Sequence, residues 1–460
     1  MGLRSSIPTM IFEPKLPMRR IEVAPAGRSG ADGFSPCVIG THILLNPERL
    51  VSYRLASWQP VVYDALLLAA AIEYCDRRQS RPGDGWGRDF SIRLPVDDPR
   101  LWTDPTVNGA LIDALSRLTG DRWSFEFFQG GAVEQSSGQA HFQMPEPNSV
   151  MIPFSNGMDS WSVSRLLAGP PIVRVRLGGP DTRRRNRNRQ SEPFERVPFR
   201  VPDRNFKEKT NRARGFKFAL VSGLAAFLSG ASRVAIPESG QGALGPVFAA
   251  HRYGDYRTHP LFLRKMERFL RALLGHDVRY EFPRLYATKG QTLAAAFSLA
   301  SDSSWTKTRS CWQKPRQISV GRGQPLRHCG FCAACMLRRL SVHAAGLTEP
   351  ATNYAFEDLG ATTLESGMAA NFPRARLQES QTAYAVAGPM HLDHLADLSR
   401  SPSPSLDRQI RELARAMDDS EDATRRNVMS LLAAHDAEWR ALLSSLPLKS
   451  LIRTRSSVAP

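Results

Sequence analysis

Residues 150–167 constrain this chain more than any other stretch. An apolar run from Val150 to Phe154 stops at Ser155-Asn156-Gly157-Met158-Asp159-Ser160, and a helical pattern follows with Trp161, Val163, Leu166 and Leu167 as its apolar positions. A short apolar run bounded by a turn is the signature of a buried strand. Strand, small-residue turn and helix together present several backbone N–H groups and a helix N-terminus to an anion. Ser155 and Ser160 add hydroxyl donors, and Gly157 lets the backbone come close to a ligand. The loop reads as a phosphate cradle, with ATP as the expected source of the phosphate. The bland alternative is an ordinary strand–turn–helix with Asp159 and Ser160 in its first turn.

Two familiar cradles fail at this loop. No lysine follows it, as Gly-x-x-x-x-Gly-Lys-Ser/Thr would require, and it lacks the Gly-x-Gly-x-x-Gly of dinucleotide folds. It does resemble Ser-Gly-Gly-x-Asp-Ser, the loop of the ATP pyrophosphatase (PP-loop) family, whose members adenylate a carboxylate or carbonyl oxygen and release pyrophosphate. The departure is Asn156 in place of the usual glycine. Asparagine is the next most tolerant residue of left-handed backbone, so the turn is expected to survive.

At 460 residues the chain calls for two or three domains. It has no apolar run of membrane-spanning length and no apolar signal segment at its N-terminus. A cytoplasmic protein with no membrane partner is expected. The formal charge of +17 is uneven: residues 181–217 hold 13 Lys/Arg and 5 Asp/Glu, supplying +8. The densest part, residues 183–189, has no apolar periodicity and reads as an exposed loop. It suits polyphosphate or RNA, but no aromatic residues interleave with it for base stacking, so a solvated loop is the favoured reading.

Six cysteines in such a chain are thiols or metal ligands rather than disulfides. Cys75 follows Leu66, Leu67, Leu68 and Ile72 on a helical pattern and reads as core filler. Cys329, Cys332 and Cys335 form two interlocked Cys-x-x-Cys steps, and Cys311 stands upstream. Three thiolates from one turn and a fourth from a preceding segment make the tetrahedron of structural zinc, with an iron–sulfur cluster as the rival. Arg327, His328, Arg338 and Arg339 are expected to offset the charge of such a site.

Loop and cysteines together resemble one PP-loop subfamily, the 7-cyano-7-deazaguanine synthase (QueC) family. The resemblance rests on Ser310-Cys311, on Cys329-Gly330-Phe331-Cys332-Ala333-Ala334-Cys335-Met336-Leu337-Arg338, and on Ala344-Ala345-Gly346. It covers residues 148–350, under half the chain. It implies an α/β fold of the adenine nucleotide α-hydrolase type: a parallel-sheet PP-loop domain carrying a four-cysteine zinc knuckle. It further implies ATP, Mg2+ and Zn2+ as cofactors and a 7-deazaguanine carboxylate as substrate. Ser155, Asn156, Gly157, Met158, Asp159 and Ser160 would hold ATP, and Cys311, Cys329, Cys332 and Cys335 the zinc. Asp159, Arg212 (in Asn211-Arg212-Ala213-Arg214) and Lys289 (in Lys289-Gly290) would serve catalysis. Glu238 and the Arg257-Thr258-His259-Pro260 segment would face substrate. Simpler roles compete: His259 before Pro260 as a helix cap, Glu238 as the partner of a loop arginine, Lys289 as a surface charge.

Residues 1–147 read as an N-terminal α+β domain, with helices at 60–74 and 107–118 and strands at 90–94 and 123–128. Residues 351–460 read as a C-terminal helical extension with a Ser/Pro linker at 401–405 and a disordered tail from Lys449. Such extensions resemble the longer QueC-like proteins of bacterial antiphage operons, such as the QatC component of Qat systems and the QueC-like member of type IV CBASS. That resemblance implies a protein partner from the same operon, modified through deazaguanine chemistry. Two other classes stay open: a PP-loop enzyme of tRNA thiolation or lysidine type, and an inactive nucleotide-binding scaffold subunit.

Overall fold

The computed structural model describes residues 18–27, 30–45, 59–83, 86–130, 146–176, 194, 198–202, 206–250, 252–299, 301–313, 318–321 and 324–456. The Arg-rich loop at 183–189 lies outside them. No helix among the described residues is long and apolar enough to cross a membrane.

The first sheet is built from β1 (Arg19–Ala24), β2 (Ser35–Val38), β4 (Asp89–Val96) and β5 (Arg122–Gln129). A two-residue strand, β3 (Leu44–Leu45), lies outside it. All neighbours in this sheet run parallel, in the order β2-β1-β4-β5. In β4, Phe90, Ile92, Leu94 and Val96 alternate inward along the strand and supply its core face. Helices α1 (Pro60–Arg78), α2 (Pro99–Thr103) and α3 (Pro105–Thr119) make the crossovers. The segregated α+β plan expected for this region is therefore corrected to alternating α/β. Helices cross over from β2 to β4 and from β4 to β5, while the described residues between β1 and β2 hold no helix, and strand periodicity by itself reveals neither connection.

The second sheet is also parallel, in the order β10-β9-β6-β7. Its strands are β6 (Val150–Phe154), β7 (Ile172–Arg176), β9 (Arg233–Ala235) and β10 (Arg279–Glu281). The chain goes from β6 outward to β7, then returns to β9 on the other side of β6. The gap between β6 and β9 is thus a topological switch point, where open α/β sheets bind ligands beyond the strand ends. β8 (Phe199–Arg200) pairs antiparallel with β3 and ties the two halves together.

The helices around the second sheet are α4 (Met158–Leu166), α5 (Arg214–Leu228), α6 (Gly240–Ala243), α7 (Gly245–Phe248), α8 (Pro260–Leu274) and α9 (Lys289–Leu299). One hydrophobic core runs from Ile21 and Val23 through Leu67, Leu111 and Phe216 to Phe269 and Tyr280. The two sheets therefore share a core, with α1 and α3 packed on α5 and α8.

The remaining helices are α10 (Ala333–Ala344), α11 (Glu379–Arg400), α12 (Pro404–Met417), α13 (Glu421–Ser444) and α14 (Leu451–Thr454). α11 and α13 pack on α10 and the cysteines, burying Leu392, Trp439 and Leu442. α12 and α13 also cover α6 and α7 through Ile410, Leu413 and Leu431. The expected linker is only a tight turn, because Ser403 caps α12 through the Leu406 N–H at 3.2 Å. The expected disordered tail is ordered through Ser456: Leu451 N–H donates to Ala361 O at 2.8 Å, and Ile452 is buried.

Candidate functional site

β6 is apolar because it is buried on both faces, and it delivers its last residue, Phe154, to the switch point. Ser155 N–H then donates to Ser160 Oγ at 3.2 Å, and the two hydroxyls lie 3.2 Å apart. Gly157 N–H donates to Ser155 Oγ, also at 3.2 Å. The loop thus closes on itself over the first turn of α4. Left-handed backbone was the expected demand at this turn, and the structure corrects it. Neither Asn156 nor Gly157 has positive φ, and Gly157 sits at −86°. Glycine is needed for room instead, since a Cβ at 157 would come within 3.0 Å of Ser155 Oγ. Asn156 reaches the neighbouring strand, where its Oδ1 accepts from Arg176 Nη1 at 2.9 Å, at the end of β7.

Three further segments converge on the loop. Lys289, the first residue of α9, forms a short, buried ion pair with Asp159 Oδ2. Asp159 Oδ1 is buried and has no hydrogen-bond partner. Glu238 follows β9 across the switch point. Burial first, and then the neighbouring Asp159 carboxylate, push its carboxyl up to about 8, against the pull of Lys289 and Arg257. At neutral pH the cleft therefore sets a protonated Glu238 beside the Asp159–Lys289 pair. Gly242 makes room for that carboxyl: a Cβ there would stand 2.0 Å from Glu238 Oε1. From the far side, Arg309 N–H donates to Asn156 O at 2.7 Å.

Arg257 stands within electrostatic reach of Glu238 and chelates Asp255, with Nε 2.8 Å from Oδ2. Burial works against the Asp255 charge, but the guanidiniums of Arg257 and Arg212 prevail and hold it below the usual carboxylate range. Arg212 is committed elsewhere than expected. Its guanidinium lies 4.9 Å from the Trp86 ring, donates to Tyr253 O at 3.3 Å and pairs with Asp255 at 3.4 Å. It bears on the cleft only through Asp255 and Arg257. Asn211 before it takes φ +46°, the left-handed turn that asparagine tolerates. His259 caps α8: its Nδ1 accepts from Leu261 N–H at 3.1 Å, and burial, aided by Arg117, pushes its imidazole down to about 3. It is a neutral, enclosed cap, the simpler of its two expected roles, and its Nε2 is buried without a hydrogen-bond partner among the described residues.

The four cysteines form a second centre. All are buried, and their sulfur atoms lie within 4.8 Å of one another, positioned to bind a metal ion and compatible with Zn2+. Thiolates about 2.3 Å from one tetrahedral ion stand about 3.8 Å apart, and Cys329 and Cys335 Sγ are 3.7 Å apart. Gly330 makes the knuckle turn, at φ +89° and with Phe356 O only 2.7 Å from where a Cβ would be. The surrounding cations were expected to offset thiolate charge, but most are spent on other partners. Arg338 pairs with Glu349 at 2.6 Å, Arg327 pairs with Glu357, and burial followed by Arg338 pushes His328 down to about 4. Backbone N–H groups supply part of that compensation: Cys329 and Gln313 donate to Cys311 Sγ, and Cys332 donates to Cys329 Sγ, each at 3.4 Å.

The two centres are joined. Arg338, on α10 just past the knuckle, donates to Thr308 O at 3.2 Å, Thr308 Oγ1 at 2.7 Å and Thr306 O at 3.3 Å. That segment continues into Arg309, whose N–H holds the loop.

Arg176, Arg309, Gln241, His435 and Glu438 escaped the sequence reading. Gly240-Gln241-Gly242-Ala243-Leu244-Gly245 after β9 was the one signal available, since a glycine-rich turn after a strand marks a crowded switch-point loop. No known family model matches the chain, and neither a curated protein nor a solved structure resembles it detectably.

Proposed function

We propose that the chain is an ATP-dependent adenylating ligase of the QueC-like PP-loop class, acting on a 7-deazaguanine carboxylate. The observation that carries this reading is the Asp159–Lys289 pair set against the Ser155–Ser160 loop at the switch point. Ser155, Ser160 and the loop N–H groups hold the phosphates of ATP. Asp159 Oδ1, buried without a partner, suits the magnesium ion that neutralises phosphate charge. A substrate carboxylate oxygen attacks the α-phosphorus, the α–β phosphoanhydride bond breaks, and pyrophosphate leaves. An amine then attacks the acyl carbon, AMP departs, and the nitrogen gives up a proton. Lys289 offers positive charge where phosphate charge develops. Glu238 faces the substrate. Cys311, Cys329, Cys332 and Cys335 hold zinc in a closed structural site, because four thiolates leave no position for water.

Ammonia as the amine gives an amide or, after a second adenylation, a nitrile; a polypeptide amine gives a conjugate with a partner encoded beside this chain. The test is pyrophosphate release from ATP with 7-carboxy-7-deazaguanine, paired with the intact mass of a co-expressed partner. A mass gain equal to the deazaguanine acyl group, lost in Asp159→Ala, supports conjugation. Free 7-cyano-7-deazaguanine with no mass gain supports the small-molecule reaction. Bound ATP without pyrophosphate release overturns the ligase in favour of a nucleotide-binding scaffold.

A further inference from the structure

Lys289 is held from behind by Gln241 and, through it, by residues more than a hundred positions downstream. Its backbone N–H donates to Gln241 Oε1 at 2.8 Å. Gln241 Nε2 stands 2.7 Å from His435 Nδ1 and 3.5 Å from Glu438 Oε2, both on α13. His435 Nε2 lies 2.8 Å from the Leu392 carbonyl on α11. A carbonyl only accepts, so Nε2 carries the imidazole proton and Nδ1 accepts. Burial keeps that ring below its ordinary pKa and hence neutral. The Gln241 amide must then turn Nε2 to the histidine and Oε1 to Lys289. The flipped amide would set two donors against each other inside a buried site.

The turn that begins α9 is fixed in the same way. Thr288 N–H donates to Gln291 Oε1 at 2.9 Å, and Gln291 N–H donates to Thr288 Oγ1 at 3.0 Å, a reciprocal capping box. The Thr288 hydroxyl proton is spent on Glu438 Oε1 through a short hydrogen bond. Orientation of the amide and anchoring of the cap both end on α13.

We propose that Gln241, His435 and Glu438 are positioning residues that set Lys289 against Asp159, making the C-terminal helical layer a working part of the cleft. This rests on the reading of Lys289 as a functional group of a nucleotide site. A side chain misplaced by about 1 Å in such a site costs about 100-fold in rate. The layer does more than cover the sheet.

The experiment uses the full-length protein and two readouts. The first is the rate of Lys289 acylation by an amine-reactive probe at one fixed pH, read by peptide mass spectrometry. The second is pyrophosphate release, resolved into kcat and KM for ATP. In Gln241→Leu and Glu438→Leu, Lys289 is acylated faster as its pairing with Asp159 loosens. Their kcat falls about 10- to 100-fold while KM for ATP stays within about twofold. Glu438→Gln, which keeps an acceptor for Thr288, retains most of the rate. If Gln241→Leu does not fold, His435→Asn is read in the same way. An unchanged Lys289 acylation rate in a folded variant overturns the proposal. Faster acylation in the variants without pyrophosphate release even in the wild type leaves the positioning role standing and overturns the ligase reading alone.

Discussion

The cysteine knuckle and the switch-point cleft follow opposite plans. The knuckle takes three of its four ligands from a seven-residue stretch, buries all four, and sets the buried Arg338–Glu349 pair behind them. The cleft takes its atoms from Ser155–Ser160, Arg176, Glu238, Lys289 and Arg309. It keeps a buried carboxylate oxygen without a partner and a carboxyl pushed up to about 8. Leaving a buried acceptor unsatisfied costs about 1–3 kcal/mol, and carboxyls shifted in this way gather where ligands bind. The knuckle is complete once its ion is present. On the proposed reading, the cleft is complete only with a ligand.

That contrast breaks most sharply at the metal. Cys332→Ser, or a chelator, should remove one bound zinc per chain by elemental analysis. It should also destabilise the C-terminal half by several kcal/mol, because metal-binding energy becomes folding energy. A colourless protein is expected; brown colour with bound iron would replace zinc with the iron–sulfur alternative. Next in size, Lys289→Met and Asp159→Ala should each lower pyrophosphate release by at least about 1,000-fold, and each should lower the melting temperature as well by stranding the partner charge. A smaller loss than about tenfold would move the reactive centre away from the cleft. Arg338→Leu should cost about 3–5 kcal/mol by stranding Glu349, measured by denaturant unfolding. The double variant Arg338→Leu with Glu349→Leu should recover much of it, and no recovery would mean that the contacts to residues 306–308 matter more than the ion pair.

The smallest effect belongs to Glu238. A carboxyl raised from its unfolded value to about 8 stabilises fully below its unfolded pKa and progressively less as pH rises toward 8. Glu238→Gln mimics the protonated form, so it should be more stable than the parent at pH 8, read as a higher melting temperature. The difference should vanish near pH 4. An advantage that does not depend on pH would mean that Glu238 is ionised in the folded cleft.

What the sequence discloses follows the same division. Val150–Leu167 and the cysteine run were legible because the residues that act together are neighbours in the chain. Lys289, singled out through the resemblance, lies beside the loop in an ion pair with Asp159. Arg176 and Arg309 were not legible, since nothing local marks a strand-end arginine or a single backbone N–H as a loop contact. His435 and Glu438 sit on an amphipathic helix whose pattern reports only which face is buried. His259 was ambiguous on its face, and Pro260 after it was the better clue, because proline favours the first helical position and leaves the residue before it to cap. The parallel order of the first sheet stayed hidden for a related reason: alternation in Phe90-Ser91-Ile92-Arg93-Leu94 fixes which side chains face inward but not the direction of the neighbouring strand.

The chain of contacts from α10 through Arg338 and residues 306–309 to Asn156 O makes the knuckle and the loop one mechanical unit. A displacement of α10 at the cysteines reaches the rear of the loop through two hydrogen-bonded steps. On the proposed reading, capture of the ion would therefore precede a finished cradle during assembly of the protein.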